Sequence, residues 1–402
     1  MSDRAVGVAV LGAGFIAEYH LVGMVAARRA CLDAAVETGG VVAEAGAVAE
    51  AGGTAANVVL RVLAGRSLER ATPLAARFGI EAVVTDWRVA LERDDVDAVV
   101  ICTPDDTHEE IAIAAARAGK AILLQKPMAG SVDGCRRIID AAQRAGVDLQ
   151  VSFMHRWFPE VEQARQWLAE GVIGRVHSAR IRNATPGPDW GDWFFTKSAV
   201  ANGVVDQLGV HGIDLALQLL GGIDDVSART ATLIPQRTLR DGRVVPVEVA
   251  DTAFATYGCA GGAMATHEMS QIEVQGCDRF RLELYGDAGT LWLRSERGPL
   301  AVYAPNQFGA DWHCPVLPHR PLGERHHAAW LDGVAGRAPR QSTAPDALRG
   351  MQVVEAIRRS SELGGARVRV EHASIEPAGD AGVARAGDAG TAAGVGGAGA
   401  GT

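Results

Sequence analysis

The chain has 402 residues, 48% of them hydrophobic and 22% charged, which is long enough for two domains and typical of a globular enzyme. Its 39 basic and 48 acidic residues give a net charge of −9, which disfavours nucleic acid and anionic membranes as partners. The sequence has no apolar run long enough to span a membrane and leaves no room for a signal peptide before the first strand. Its six cysteines are scattered. Together these features predict a cytoplasmic protein with reduced thiols.

The first predicted element is a buried strand over 6–11, followed by a glycine turn and a helix. The turn has the pattern G-x-G-x-x-A. Gly12 would permit a tight turn, Gly14 would let the backbone approach a pyrophosphate, and Ala17 would keep helix and strand close. The helix N-terminus would present free N–H groups to the phosphates. Because Gly- and Ala-rich chains produce such strings by chance, an ordinary turn is the alternative.

Strand-like and helix-like segments alternate through the first third of the chain. The further predicted strands cover 58–64, 82–84, 97–102, 121–124 and 148–153. The predicted helices cover 68–78, 108–118 and 131–145. This alternation predicts an α/β fold, with a parallel Rossmann sheet wound by helices over 1–153. Ligands of such sheets bind at the carboxyl ends of the strands, where Gly12, Gly65, Thr103 and Lys126 all fall, and this favours nucleotide binding.

Two stretches of low complexity stand apart from the predicted domains. The segment 37–57 is nearly all Ala, Gly, Val and Glu, and is predicted to be an insertion on the rim opposite the cofactor. A functional lid is the alternative. The segment 377–402 lacks large apolar residues and is predicted to be a disordered tail.

Between them, residues 154–376 are predicted to form an α+β domain for substrate binding and oligomerisation. The predicted antiparallel strands cover 176–183, 226–233, 247–258, 261–273, 278–286 and 289–294. The predicted helices cover 207–220, 323–335 and 345–363. A sheet face without covering helices predicts a homodimer or homotetramer.

Several landmarks, in order and at matching spacing, are similar to those of the Gfo/Idh/MocA family of oxidoreductases, which includes glucose–fructose oxidoreductase and inositol dehydrogenase. They are VLGAGFIAEYH at 10–20, RSLERATPLAARFG at 66–79, CTPDDTHEEIA at 102–112, LLQKP at 123–127, FMHRWFPEV at 153–161, DQLGVHGIDLALQLLG at 206–221, DTAFATY at 251–257, LELYGDAGTLWL at 282–293 and VVEAIRRSSELGG at 353–365. The resemblance implies a NAD(P)-dependent dehydrogenase or reductase that acts on CH–OH groups of sugars, cyclitols or related polyols.

Hydride transfer at a carbinol carbon requires a proton to move off or onto the oxygen, and a nearby cation stabilises the developing alkoxide. Lys126, at a strand end before Pro127, matches the family's lysine with this role; a surface lysine is the alternative. The family usually places Glu before this lysine, whereas this chain has Gln125. Gln125 retains hydrogen bonding towards a ribose hydroxyl but removes a charge that would raise the lysine pKa, so we expect altered rather than abolished function.

His211 is the predicted general acid/base, because an unperturbed imidazole titrates near neutrality; a structural histidine is the alternative. In the family's D-x-x-x-H-x-x-D arrangement, His211 and Asp214 match. The position four before His211 is Gln207, and the acid is Asp206. Since one residue turns an α-helix by about 100°, only one of these two can face the site. We expect Gln207 to do so, with Asp206 as the alternative.

The choice of cofactor depends on the end of the second strand. It reads Gly65-Arg66-Ser67, with Arg70 one turn later, and has no carboxylate to take ribose hydroxyls. This pattern predicts NADP(H) as the cofactor, with NAD(H) as the alternative. For Arg66 itself, the alternative is a solvated turn residue that contacts no cofactor. The residues predicted to bind the cofactor are Gly12, Gly14, Phe15, Ile16, Arg66, Ser67, Arg70, Thr103, Pro104, His108, Gln125 and Lys126.

Aromatic faces combined with polar groups suit a sugar ring, and packing between domains is the alternative. The residues predicted to line the substrate pocket are His155, Arg156, Trp157, Trp193 and Phe194. No metal is predicted, because the adjacent His326 and His327 diverge by about 100° on a helix. Two other functions remain open: a glycosidase that uses tightly held NAD, and a non-catalytic regulator that senses sugar or cofactor.

Overall fold

The protein is described by a computed structural model over residues 5–37, 58–274, 279–294, 300–340 and 342–372. The predicted insertion over 37–57, apart from residue 37, and the predicted tail over 377–402 lie outside these ranges. The strands are β1 (Val6–Leu11), β2 (Val58–Ala64), β3 (Ala82–Val84), β4 (Ala98–Ile101), β5 (Ala121–Leu124), β6 (Leu149–Val151), β7 (Val176–Ala184), β8 (Ile223–Ala231), β9 (Gln236–Thr238), β10 (Val244–Pro246), β11 (Thr252–Cys259), β12 (Met264–Ser270), β13 (Phe280–Gly286), β14 (Thr290–Leu293), β15 (Leu300–Tyr303) and β16 (Val368–Arg369). The α-helices are α1 (Phe15–Glu37), α2 (Leu68–Phe78), α3 (Trp87–Leu91), α4 (His108–Arg117), α5 (Val132–Ala145), α6 (Pro159–Ala169), α7 (Val210–Leu220), α8 (Pro305–Phe308), α9 (Glu324–Val334) and α10 (Ala344–Glu362).

The first six strands form one parallel sheet in the order β3-β2-β1-β4-β5-β6. The central strands β1 and β4 are almost wholly buried apolar runs, as expected where helices cover both faces. Helices α2 and α5 end at Gly79 and Gly146 in the left-handed conformation, which stops each helix before the next strand. The predicted Rossmann domain is therefore confirmed.

The second sheet has eight strands in the order β15-β14-β13-β7-β12-β11-β8-β16. Its pairs are antiparallel except β12 with β7, which run parallel. The strands predicted over 176–183 and 261–273 are thus not antiparallel neighbours, because the chain between them includes α7 and returns in the same direction. The sheet remains mostly antiparallel, as predicted.

The strand predicted over 247–258 is shorter than expected and begins at Thr252. The carboxylate of Asp251 accepts the main-chain N–H groups of Leu233 and Ile234, at 3.0 and 2.8 Å. These donors belong to the segment that follows β8, which therefore leaves the eight-stranded sheet there, and the chain between β8 and Asp251 forms a separate hairpin of β9 and β10. The elements α3, α6, α8, β9, β10, β15 and β16 were not predicted.

The two C-terminal helices connect the two sheets. Helix α9 packs on α1 of the Rossmann domain, and α10 packs on β8, α5 and α7. One hydrophobic core continues from the first sheet into the second. In the described ranges no helix is both long and apolar enough to cross a membrane.

Candidate active site

The turn after β1 is shaped for close approach of the backbone to a ligand. Gly12 has φ +115°, and a Cβ there would lie 2.5 Å from the Cys102 carbonyl oxygen, so only glycine fits. A Cβ on Gly14 would meet nothing within 4 Å, which leaves that backbone open. Ala17 is fully buried and Ile16 is half-buried, both in the core between α1 and the sheet. Free N–H groups at the start of α1 adjoin this open space.

The end of β2 presents polar groups beside this turn. A Cβ on Gly65 would lie 2.8 Å from the Cβ of Ala13, so the two turns are in contact. Arg66 and Arg70 are exposed, and neither forms an ion pair with another described residue. Ser67 caps α2 without using its hydroxyl group for the cap. These groups supply two cations and one hydroxyl for an anion at this corner.

The loop after β4 is held by His108 from behind. Its fully buried ring lies 2.8 Å from the carbonyl oxygen of Pro127 and 3.0 Å from that of Thr103. The Thr107 hydroxyl donates to Thr103 Oγ1 at 2.7 Å. Thr103 and Pro104 remain half-buried at the rim. His108 therefore fastens two loops together, which differs from the predicted contact with the cofactor.

Lys126 lies among acidic and basic groups from three loops. Its Nζ donates to the main-chain carbonyl of Gln207 at 2.8 Å. Burial lowers the Lys126 pKa and the nearby Arg279 lowers it further, whereas the carboxylates of Asp105 and Asp206 favour the charged form. Burial in turn raises the pKa of Asp105 and of Asp206 to about 7. The site therefore couples one amine to two carboxyl groups that titrate near neutrality.

The turn that precedes α7 is π-helical, over Val205–Gly209. The local geometry thus departs from the α-helix assumed for residues 206 and 207, and both side chains are buried. Asp206 accepts from the main-chain N–H of Asn202 at 2.8 Å. The side-chain Nε2 of Gln207 donates to the Phe194 carbonyl at 2.7 Å. The group of Gln207 that accepts from Lys126 Nζ is its main-chain carbonyl. The expectation that Gln207 alone faces the site is wrong.

His211 is stacked on His155, with ring centroids 4.2 Å apart and planes 7° from parallel. Burial, followed by His155, Lys126 and Arg279, lowers the pKa of His211 well below 6.5. Burial lowers the pKa of His155 to about 3. Nδ1 of His211 is buried and has no hydrogen-bond partner in the described part of the chain. His211 is therefore neutral at pH 7, and one of its two ring nitrogens can accept a proton.

Arg156 pairs with acids rather than facing an open pocket. Its guanidinium makes a two-pronged contact with the Asp214 carboxylate, 2.8 Å on the Nε side, and lies 3.0 Å from Asp346. The Asp214 carboxylate is thus engaged by Arg156. The predicted substrate contact of Arg156 is replaced by an ion-pair group that ties α7 to α10.

The aromatic residues form a row next to the glycine turn. Trp193 and Phe194 are stacked 3.7 Å apart, and Trp190 meets Phe194 edge-on at 5.5 Å. Trp190 also contacts Phe15, the first residue of α1, at 5.6 Å. Phe15 is 70% exposed and reaches the second domain through this contact. The row therefore joins the predicted cofactor and substrate regions.

Trp157 lies away from this row, with its ring stacked 5.9 Å from His326. It is thus placed against α9, in contrast to the predicted pocket position. His326 and His327 are both fully buried. Within the ranges that the structure covers, no three His, Cys, Asp or Glu side chains are placed to hold a metal ion.

Gln125 is buried behind Lys126, and its amide is committed to protein partners. Nε2 lies 2.7 Å from His20 Nε2 and 3.5 Å from the Ser152 hydroxyl. Oε1 accepts from the main-chain N–H of Lys126 at 3.2 Å. The predicted bond from Gln125 to a ribose hydroxyl is therefore not what this orientation provides.

Three residues at the site were not predicted from the sequence. Asp105 directly follows Pro104 at a strand end, so its position on the rim could have been predicted from the sequence. Trp190 lies in the same loop as Phe194, and its aromatic character was a signal. Arg279 gave no signal, because its place beside β7, where its carbonyl oxygen accepts from Ala184 N–H at 2.9 Å, depends on pairing between strands distant in sequence.

Comparison with protein families gives two matches in tandem. A family described as "Oxidoreductase family, NAD-binding Rossmann fold" matches residues 6–153. The GFO/IDH/MocA C-terminal domain matches residues 161–292.

Several named relatives are dehydrogenases. Levoglucosan dehydrogenase of Pseudarthrobacter phenanthrenivorans is 32% identical over 60% of this chain and 66% of its own length. Inositol 2-dehydrogenase 2 of Saccharopolyspora erythraea is 32% identical over 67% of this chain and 76% of its own. Among solved structures, levoglucosan dehydrogenase with NADH and levoglucosan superposes with a TM-score of 0.77 at 26% identity, over 91% of this chain and 99% of the other. An NAD-binding oxidoreductase from Klebsiella pneumoniae gives 0.78 at 25% identity, over 92% and 100%.

Proposed function

The chain belongs to the GFO/IDH/MocA family of oxidoreductases, and on that basis we propose that it transfers a hydride between a nicotinamide cofactor and a carbinol or ketone carbon of a sugar, cyclitol or sugar-derived intermediate. The observation that carries the proposal is the grouping of Lys126 with Asp206 and the neutral His211, next to a turn in which only glycine fits. The names of relatives that act on levoglucosan and inositol support a polyhydroxylated ring as substrate.

The residues present fit a dinucleotide. The open backbone at Gly14 and the start of α1 would hold the pyrophosphate, and the end of β2 would hold the adenosine ribose. When bound, the nicotinamide ring supplies the hydride acceptor or donor.

The chain's own residues would manage charge and protons. Lys126, held by the Gln207 carbonyl, would stabilise negative charge that develops on the reacting oxygen. His211, neutral and with Nδ1 unpartnered among described residues, would accept the hydroxyl proton during oxidation and return it during reduction. Trp193 and Phe194 would offer stacked faces to the apolar side of a sugar ring.

For the cofactor we propose a preference for NADP(H) over NAD(H). Arg66, Ser67 and Arg70 supply donors for a 2′-phosphate, and β2 ends without a carboxylate to take ribose hydroxyls. The alternative, NAD(H), is supported by the relatives solved with NADH or NAD. Replacement of Arg66 by Ala should raise the KM for NADP⁺ much more than that for NAD⁺; a stronger effect on NAD⁺ would reverse the assignment.

We also propose a homo-oligomer formed through the second sheet. Phe254 on β11 and Met264 on β12 are 58% and 69% exposed on its open face. Light scattering of the full chain should give a dimer or tetramer, and Phe254→Asp should shift it towards monomer.

The decisive experiment is a panel of sugars and polyols with NAD⁺ and NADP⁺, followed by absorbance of the reduced nicotinamide. Lys126→Met and His211→Asn should each lower kcat by roughly 10²- to 10⁴-fold. Lys197→Met, at an exposed lysine, is the matched control and should retain full activity. Unchanged turnover in both site variants would refute the mechanism. Release of sugar from a glycoside without net absorbance change would indicate a glycosidase instead.

A further inference from the structure

Two buried histidines connect the C-terminal helix α9 to the residue that precedes Lys126. His327 Nδ1 lies 2.7 Å from the Gly323 carbonyl oxygen, and its Nε2 lies 2.8 Å from His20 Nδ1. His20 Nε2 lies 2.7 Å from Gln125 Nε2. Both histidines are fully buried. We name Gln125, His20, His327 and the Gly323 carbonyl the histidine chain.

The chemistry of its ends gives the histidine chain a single direction. A carbonyl oxygen can only accept, so His327 Nδ1 carries the proton and donates to Gly323. A neutral imidazole has one N–H, so His327 Nε2 accepts from His20 Nδ1–H, and His20 Nε2 in turn accepts from the Gln125 amide. Oε1 of Gln125 must then point the other way, to the main-chain N–H of Lys126.

The surroundings keep both rings neutral and close. Burial, followed by His327 and His326, lowers the pKa of His20, and burial lowers that of His327 to about 4. A Cβ on Gly23 would lie 2.2 Å from His327 Nδ1, so α1 and α9 are in contact at this point.

We propose that His20 and His327 are positioning residues for Lys126. Through the histidine chain they fix the orientation of the Gln125 amide, which in turn holds the main chain at Lys126. The inference rests on the proposed role of Lys126 in hydride transfer.

The histidine chain also explains why an amide suits position 125. A carboxylate there would face the lone pair of His20 Nε2 and could not donate to it. If both histidines instead carried their proton on Nε2, His20 could donate to the carboxylate. The unprotonated Nδ1 of His327 would then face the Gly323 carbonyl oxygen, and two acceptors would meet there. A glutamate at 125 therefore requires an extra proton within the histidine chain.

Two other titratable groups near the histidine chain, Tyr19 and His326, form no hydrogen bond with Gln125 in the described part of the chain. Tyr19 hydrogen-bonds His326 Nδ1 at 3.0 Å, and burial raises the Tyr19 pKa far above its ordinary range. Burial, followed by His327 and Arg156, lowers the pKa of His326. Tyr19 and His326 therefore provide a matched control in the same buried layer.

The first test observes the imidazole tautomers directly, in the full chain labelled with ¹⁵N. Long-range ¹H–¹⁵N spectra should show His20 and His327 as neutral Nδ1–H tautomers that do not titrate between pH 5.5 and 9 (roughly the range in which ordinary histidines change charge). Either ring found as the Nε2–H tautomer, or titrating in that range, would overturn the proposal.

The second test measures positioning. His20→Leu breaks the histidine chain and should lower kcat about five- to tenfold, the rate equivalent of one lost hydrogen bond, with KM values nearly unchanged. His20→Gln, which keeps one acceptor and one donor, should recover most of the loss, and Tyr19→Phe should leave kcat unchanged. Equal kcat in His20→Leu and wild type would overturn the proposal.

Gln125→Glu covers the case in which His20→Leu does not fold. Its kcat should acquire an ionisation that the wild type lacks, and a pH profile identical to that of the wild type would overturn the proposal. Failure of the proposed function is recognised separately, by full turnover in Lys126→Met, and would not alter the tautomers seen by NMR.

Discussion

Asp206→Asn tests the charge arrangement around Lys126 through stability alone. Burial raises the Asp206 pKa from its ordinary value of 3.8 to about 7. The folded chain then holds this proton more tightly than the unfolded chain, so the group adds stability at low pH that is lost as the pH rises from about 4 to about 7. At pH 5 the folded state binds nearly one more proton than the unfolded state, and at pH 7 about half a proton more. At about 1.4 kcal/mol per proton and pH unit, the stability lost is about 2 kcal/mol by pH 7 and about 3 kcal/mol by pH 8. Asparagine cannot titrate and should remove this dependence.

The assay is denaturant unfolding at pH 5 and pH 8, with a probe in each domain to check for a single transition. The free energy of unfolding of the wild type minus that of Asp206→Asn should be about 3 kcal/mol larger (wild type more stable) at pH 5 than at pH 8. The pH-independent cost of altering the bonds to Asn202 cancels in this comparison. Asp94→Asn, at an exposed position, is the control and should show no such change. A constant difference between wild type and Asp206→Asn would refute the reasoning.

Three further predictions follow from the site. Gly12→Ala should abolish cofactor binding measured by fluorescence titration, because its Cβ would lie 2.5 Å from a carbonyl oxygen, whereas Gly14→Ala should still fold with unchanged melting temperature. Arg156→Met should destabilise the chain by about 3–5 kcal/mol in denaturant unfolding, because it leaves the buried Asp214 without its cation; a loss below 1 kcal/mol would contradict this. His211→Asn should flatten the pH profile of kcat on its acid side, and an unchanged profile would exclude His211 as the proton carrier.

Local patterns predicted the Rossmann half well. The helix expected over 68–78 occurs at those residues, because its amphipathic pattern and terminal glycine are local signals. The turn at Gly12 and the strand end at Lys126 meet on one rim because a parallel sheet brings its carboxyl ends together. Such features depend on residues close in sequence, and they are the ones that a sequence reveals.

The errors arise where distant side chains override local pattern. Asp251 captures N–H groups 17 and 18 residues away and shortens a predicted strand. Arg156 is neutralised by Asp214 and Asp346, 58 residues away in the first case, which removes it from the predicted substrate pocket. His20 and His327 are 307 positions apart, and no periodicity brings them together.

The substitution at position 125 is the clearest example of what the structure adds. In sequence, Gln125 is a missing negative charge next to Lys126. In the fold, Asp105 and Asp206 approach the same amine from the loop after β4 and from the π-helical turn, so the negative charge is supplied from elsewhere. The amide can then serve the neutral histidine chain, which a carboxylate could not do without an extra proton. The residues at positions 125 and 206 therefore complement each other electrostatically. The strand end has no acid at position 125, and the π-helical turn provides one in Asp206. The same turn brings the main-chain carbonyl of Gln207 to Lys126.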